Sequence, residues 1–171
     1  MPEPVPQDRL QPALLDRLTD DHPENRREPA EQRSLSKARL RQAVLRDLGW
    51  LFNTVKLEAT VDLSGLSYVR RSVLNYGMAA LSGKTASTLD AVALTNVIRQ
   101  AIIDFEPRIV QSTLEVRTML DEGELDHHNV IGIQIQGHLW AQPVPLELLV
   151  RTEIDIETGR VEIADLLPSR A

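Results

Sequence analysis

The segment IIDFEPRIVQSTLEVR, residues 102–117, changes its hydrophobic period in mid-course. Up to Phe105 the apolar positions fall at helical spacing. Beyond Pro107 they alternate, with Val110, Leu114 and Val116 on one face and Gln111, Thr113, Glu115 and Arg117 on the other. Pro107 disfavours helical geometry at Glu106, so a helix stops there and a strand follows almost at once. This switch divides the chain into a helical first part and a sheet-forming second part.

Upstream, Leu94, Val97, Ile98, Ala101, Ile102 and Phe105 form one apolar stripe, and Ser87 with Asp90 makes a capping-box-like start. An earlier helix begins after Ser36, a suitable N-cap. It carries Leu40, Val44, Leu45, Leu48, Leu51 and Phe52 inward and Arg41, Arg46 and Asp47 on another face, and it ends near Asn53 or Thr54. Residues 55–68 are ambiguous, with weak alternation over 58–63 and a turn at Ser64-Gly65, and residues 69–83 read as a short irregular segment punctuated by Gly77 and Gly83. Downstream, Ile131, Ile133, Ile135 and Leu139 alternate with Gln134, Gln136 and His138. Leu146, Leu148, Val150, Ile154 and Ile156 alternate with Glu147, Arg151, Glu153 and Asp155, and Thr158-Gly159 turns the chain into Val161 and Ile163. The expectation is an α+β fold with helices packed on one face of a mainly antiparallel, four-stranded sheet.

Six of the ten prolines fall in the first thirty residues, which are charged and poor in large apolar side chains. Residues 1–34 therefore read as a flexible, extended N-terminal arm, and residues 35–171 as the folded domain. One island interrupts the arm: Leu14, Leu15 and Leu18 share a face of a short helix that also carries Arg17. So short a helix needs a surface to dock on, either its own domain or another subunit.

The 171 residues are 42% hydrophobic, enough for a core, and carry a formal charge of −6, which disfavours nucleic acid as a partner. Without cysteine there is no disulfide, thiol nucleophile or Cys-ligated metal. The opening MPEPVPQDRL lacks a signal-peptide pattern, and the longest uncharged run is broken by Gln and Pro. A soluble, cytoplasmic protein that does not insert into a membrane is expected. Of the four histidines, His22 lies in the arm, and His127 and His128 adjoin the acidic turn 121–126. A solvated hairpin tip is the simpler reading there than a metal site, and no metal or other cofactor is expected. Neither hydrolase nor nucleotide-binding motifs occur, and no pair of carboxylates stands out in an apolar setting. No catalytic residue is assigned.

The most unusual local feature is Phe105-Glu106-Pro107-Arg108. Asp104 and Glu106 put negative charge at a helix C-terminus, where positive charge is favoured, and Pro107 fixes the corner so that Glu106 and Arg108 point the same way. Physics alone favours an exposed pair in which Arg108 neutralises its own helix end. The other reading is a pair that meets complementary charges on another chain.

The succession LLDRL, LRQAVLRDLGWLFNT, VRRSVLNYG, IIDFEPRI and a terminal TG hairpin resembles the TssE family, the baseplate wedge proteins of type VI secretion systems, named "lysozyme-like" after a phage relative. The likeness runs from residue 13 to 165. Glu106, Pro107 and Arg108 match the family's FEPR hallmark; Arg46, Asp47 and Leu48 match its RDL segment; Ser72, Asn75, Tyr76 and Gly77 match its SVLNYG segment. The resemblance implies a fold similar to the interlocking part of the contractile sheath subunit. It implies a structural, non-enzymatic role that links the wedge to the sheath and initiates sheath polymerisation. It further implies that the FEPR corner contacts the sheath, that Leu14, Leu15, Arg17 and Leu18 dock on other wedge subunits, and that the baseplate sits at the cytoplasmic side of the inner membrane. The alternative is a peptidoglycan hydrolase.

Overall fold

The computed structural model describes residues 13–19, 23–24, 36–79, 91–119, 130–141 and 144–167. A short helix α1, Leu14–Leu18, precedes the long helix α2, Lys37–Phe52. Ser36 caps α2 as its sequence position predicts, accepting the Arg39 backbone N–H at 3.2 Å. Leu40, Val44, Leu48, Leu51 and Phe52 are buried, with Leu45 packed beside them. The second long helix, α4, Ala91–Phe105, ends ahead of Pro107 as expected. Its stripe of Leu94, Ile98, Ala101 and Ile102 is buried, whereas Val97 is exposed. The proposed start at Ser87 and Asp90, the glycine at position 83 and the acidic turn 121–126 lie outside the described residues.

The sheet consists of β1, Glu115–Met119, β2, Val130–Leu139, β3, Leu146–Asp155, and β4, Val161–Asp165, in that spatial order and antiparallel throughout. Alternation decides which side is buried. Ile133, Ile135, Leu139, Leu148, Val150, Ile154 and Val161 form the inner face, beneath α2 along β4 and α4 along β1. Thr152 interrupts this face without cost, because its hydroxyl donates to the Ile133 carbonyl at 3.1 Å.

The strand expected from Val110 begins only at Glu115, since residues 111–113 form a 3-10 turn. The cause is Thr113. Its hydroxyl donates to the Val110 carbonyl at 2.8 Å and accepts the His138 N–H at 3.0 Å, diverting backbone partners from the ladder. Residues 108–110 still run beside the end of β2, with Val110 N–H donating to His138 O at 2.8 Å and Trp140 N–H to Arg108 O at 2.7 Å.

Residues 54–78 form an excursion closed at its neck by two backbone bonds, Met78 N–H to Thr54 O at 2.8 Å and Lys56 N–H to Met78 O at 2.9 Å. It holds the short helix α3, Ser67–Arg70, between two 3-10 turns, so the weak alternation over 58–63 makes no strand. Gly77 makes the neck possible. Its φ is +119°, and a Cβ there would lie 2.3 Å from the Thr54 carbonyl oxygen. At the far side of the sheet, Asn53 acts as a substitute peptide: its Nδ2 donates to Val161 O at 2.9 Å and its Oδ1 accepts Val161 N–H at 3.0 Å.

Candidate functional site

The RDL, NYG and FEPR segments lie far apart in the chain, and the fold brings them to one corner. Helix α4 ends at Phe105, so Glu106 emerges at its C-terminus and turns inward beneath Pro107. Its side chain is only 3% exposed. Arg108 returns over the turn and grips Glu106 with a two-pronged contact, Nε to Oε1 at 2.6 Å and Nη2 to Oε2 at 2.5 Å. The Arg108 N–H adds a third bond to Oε1 at 3.1 Å. The same Nη2 reaches Asp47 Oδ2 on α2 at 2.5 Å.

The expectation of an exposed pair is corrected by this geometry. Glu106 is a buried carboxylate bound by Arg108 of its own chain. Burial works against the Arg108 charge, and the carboxylates of Glu106 and Asp47 more than offset it, so its pKa lies above the ordinary guanidinium value.

Asp47 is shared. Its Oδ1 accepts from Arg46 Nε at 2.9 Å, and Arg46 Nη1 continues to Asp16 Oδ1 on α1 at 2.5 Å. Chiefly through the Asp16 hydrogen bond, and against the cost of burial, the Arg46 pKa is also raised. The Arg46 guanidinium lies 5.0 Å from the centre of the Trp50 ring. The third segment enters through Tyr76, whose hydroxyl donates to the Asp47 carbonyl at 3.2 Å and whose ring meets Phe105 edge-on at 5.2 Å between centroids. Burial, then the nearby Asp47 and Glu106 charges, raise the Tyr76 pKa.

The remaining residues singled out in the sequence have distinct places. Leu48 is fully buried in the core. Asn75, buried in the excursion, accepts Glu58 N–H at 2.9 Å and donates to Arg70 O at 3.0 Å, stapling the excursion to itself. The Ser72 hydroxyl accepts Leu74 N–H at 3.3 Å and donates to Val69 O at 2.9 Å. Gly77 holds the neck beside Tyr76. Pro107 is exposed on the outside of the corner, and Arg17 is exposed on α1. Leu14, Leu15 and Leu18 are 70%, 46% and 74% exposed, so α1 does not bury its apolar face on its own domain.

Sequence reasoning missed Asp16, the acidic residue inside LLDRL, and the Arg46–Trp50 contact. The latter had a signal, an i, i+4 spacing on one helix. The former had none, because its partner is thirty positions away. Also unforeseen is the apolar exterior of the excursion, where Tyr68, Val73 and Leu74 are exposed.

Among the described residues no group of three or more His, Asp or Glu is placed to hold a metal ion, and no helix is long and apolar enough to cross a membrane. His138 is exposed on the outer face of the sheet, while His22, His127 and His128 lie outside the described residues. An open cleft of about 330 Å³ separates the excursion from α4, lined by Lys56, Arg70 and Arg71 on one side and Val97, Gln100 and Asp104 on the other. A family model described as baseplate wedge protein gp25 matches residues 38–144. No curated protein and no solved structure matches the chain.

Proposed function

The chain belongs to the gp25 family of baseplate wedge proteins, and on that premise we propose that it links the wedge of a type VI secretion baseplate to the contractile sheath and initiates sheath polymerisation. Family membership makes it a structural baseplate component that assembles with other baseplate components. The finer reading is carried by one observation. The segments matching the TssE pattern meet at a single charged corner, and the leucine-bearing helix tied to that corner leaves its apolar face outside.

In this reading Leu14, Leu15, Arg17 and Leu18 dock on other wedge subunits, and the Glu106-Pro107-Arg108 corner faces the sheath. The outer edge of β1, at the opposite side of the sheet from β4, supplies backbone groups that accept a strand from a neighbouring subunit. The baseplate stands in the cytoplasm, against the inner membrane, without inserting into it. No cofactor or nucleic acid takes part.

The protein acts without catalysis. Asp47 and Glu106, the carboxylates that the corner brings together, both bind one guanidinium instead of flanking a cleft as a glycoside hydrolase pair does. Co-purification of the full chain with wedge subunits and the small sheath protein tests the assembly reading, with capture of both expected. Capture of neither overturns it. Turnover of purified peptidoglycan, abolished by one carboxylate-to-amide substitution, would establish the hydrolase instead.

A further inference from the structure

Five charges of alternating sign run without a break from the arm to the buried corner: Asp16, Arg46, Asp47, Arg108 and Glu106. Each link is a contact of 2.5–2.9 Å. Asp47 stands in the middle and divides its two oxygens between two guanidiniums, Oδ1 to Arg46 and Oδ2 to Arg108. Arg46 in turn divides its nitrogens between Asp47 and Asp16.

We infer that Asp16 is a positioning residue for the Glu106–Arg108 corner, acting through Arg46 and Asp47, so that whatever engages the leucine face of α1 also sets how tightly Arg108 is held. Arg46 and Arg108 compete for Asp47. With Asp16 in place, Arg46 is shared between two carboxylates, and Asp47 keeps Oδ2 on Arg108 while giving only Oδ1 to Arg46. When Asp16 leaves, Arg46 has Asp47 as its remaining carboxylate and draws it away from Arg108. Helix α1 is suited to leaving. It has five residues, none of them buried, and the Asp16 contact ties it to α2. A helix of that length does not persist by itself, so its docked and undocked states are the two arrangements that such coupling requires. Its exposed leucines give a partner the means to favour one of them. What binds each end rests on the reading of arm and corner given above, whereas the coupling is internal to the chain and is measured without partners.

The test is hydrogen exchange of the Arg108 side-chain Nε–H, which donates to Glu106 Oε1, followed by NMR in the full chain. Asp16→Asn is expected to speed this exchange about 3- to 10-fold, the usual scale of coupling within a contact network, while the denaturation midpoint scarcely moves. Asp16→Glu is expected to restore slow exchange, and added salt to shrink the difference. Unchanged Arg108 exchange in Asp16→Asn, with faster exchange at Arg46 alone, would overturn the inference. So would a uniform acceleration of the core amides of α2 and β2, which would make Asp16 merely structural. A failure here leaves co-purification with wedge and sheath untouched, and a failure there leaves this measurement untouched.

Discussion

Helix α1 and the Glu106–Arg108 corner are the two ends of one charged chain, and they are built in opposite ways. The corner puts polar groups inside. A carboxylate with 3% of its side chain exposed is held by a guanidinium and a backbone N–H, and that guanidinium is itself anchored to Asp47 on α2. Helix α1 puts apolar groups outside, with Leu14 and Leu18 more than two-thirds exposed, and among the described residues the Asp16–Arg46 ion pair ties it to α2. Burial makes the corner costly to disturb, since a lone buried charge has no water to turn to. Exposure makes α1 inexpensive to disturb and leaves its apolar surface for use elsewhere. The contrast is between a corner fixed from within and a helix whose apolar face stays outside.

Removing Glu106 is the severest way to test it. Glu106→Ala breaks the buried pair, leaves Arg108 with Asp47 alone beside a cavity, and is expected to lower unfolding stability by about 3–5 kcal/mol, read by urea denaturation. A loss under about 1 kcal/mol would mean that the corner behaves as a surface pair and that the contrast fails. Gly77→Ala comes next, at about 3 kcal/mol. The new Cβ meets the Thr54 carbonyl and opens the neck that carries Tyr76 to Asp47. Wild-type stability after this change would show that the neck is not needed to hold the corner.

Tyr76→Phe sharpens the comparison by removing one bond to the corner, for a loss of about 1 kcal/mol. It also carries a pH signature. Because the folded-state pKa of Tyr76 is raised, the unfolded chain ionises first. The stabilisation is therefore complete below the ordinary tyrosine value of about 10 and is lost as pH rises through the folded value. Denaturation midpoints measured across that range should fall less steeply in Tyr76→Phe than in the wild type. The smallest change belongs to α1. Replacing Leu14, Leu15 and Leu18 together by serine is expected to shift stability by no more than about 0.5 kcal/mol while abolishing capture of wedge subunits. A large fall in stability would show that these leucines pack on the domain after all.

Much of the fold was legible because its elements announce themselves locally. The Ser36 cap, the Pro107 stop and the Thr158-Gly159 turn each act within a few residues, and strict alternation placed β2, β3 and β4. Val110 to Leu114 misled for a reason that is also physical: alternation in so short a run does not register a threonine hydroxyl competing for backbone partners. The site was legible as segments and illegible as a cluster. Nothing in Arg46-Asp47 announces that Arg108, 61 positions later, closes on it, and nothing in Glu106-Pro107-Arg108 distinguishes a surface pair from a buried one. Both facts depend on how α2 and α4 lie across the sheet.

The amide of Asn53 has a consequence for the protein's life before it meets anything. It fills the outward peptide groups of Val161 at the rim of β4, and since such groups alternate along a strand, only Ile163 and Asp165 still present theirs on that strand. A ladder between identical copies needs an uninterrupted row to nucleate. With its first rung occupied and few remaining, this rim is a poor template for fibrils. One asparagine at the end of a helix thus shields the start of that rim from pairing with another copy.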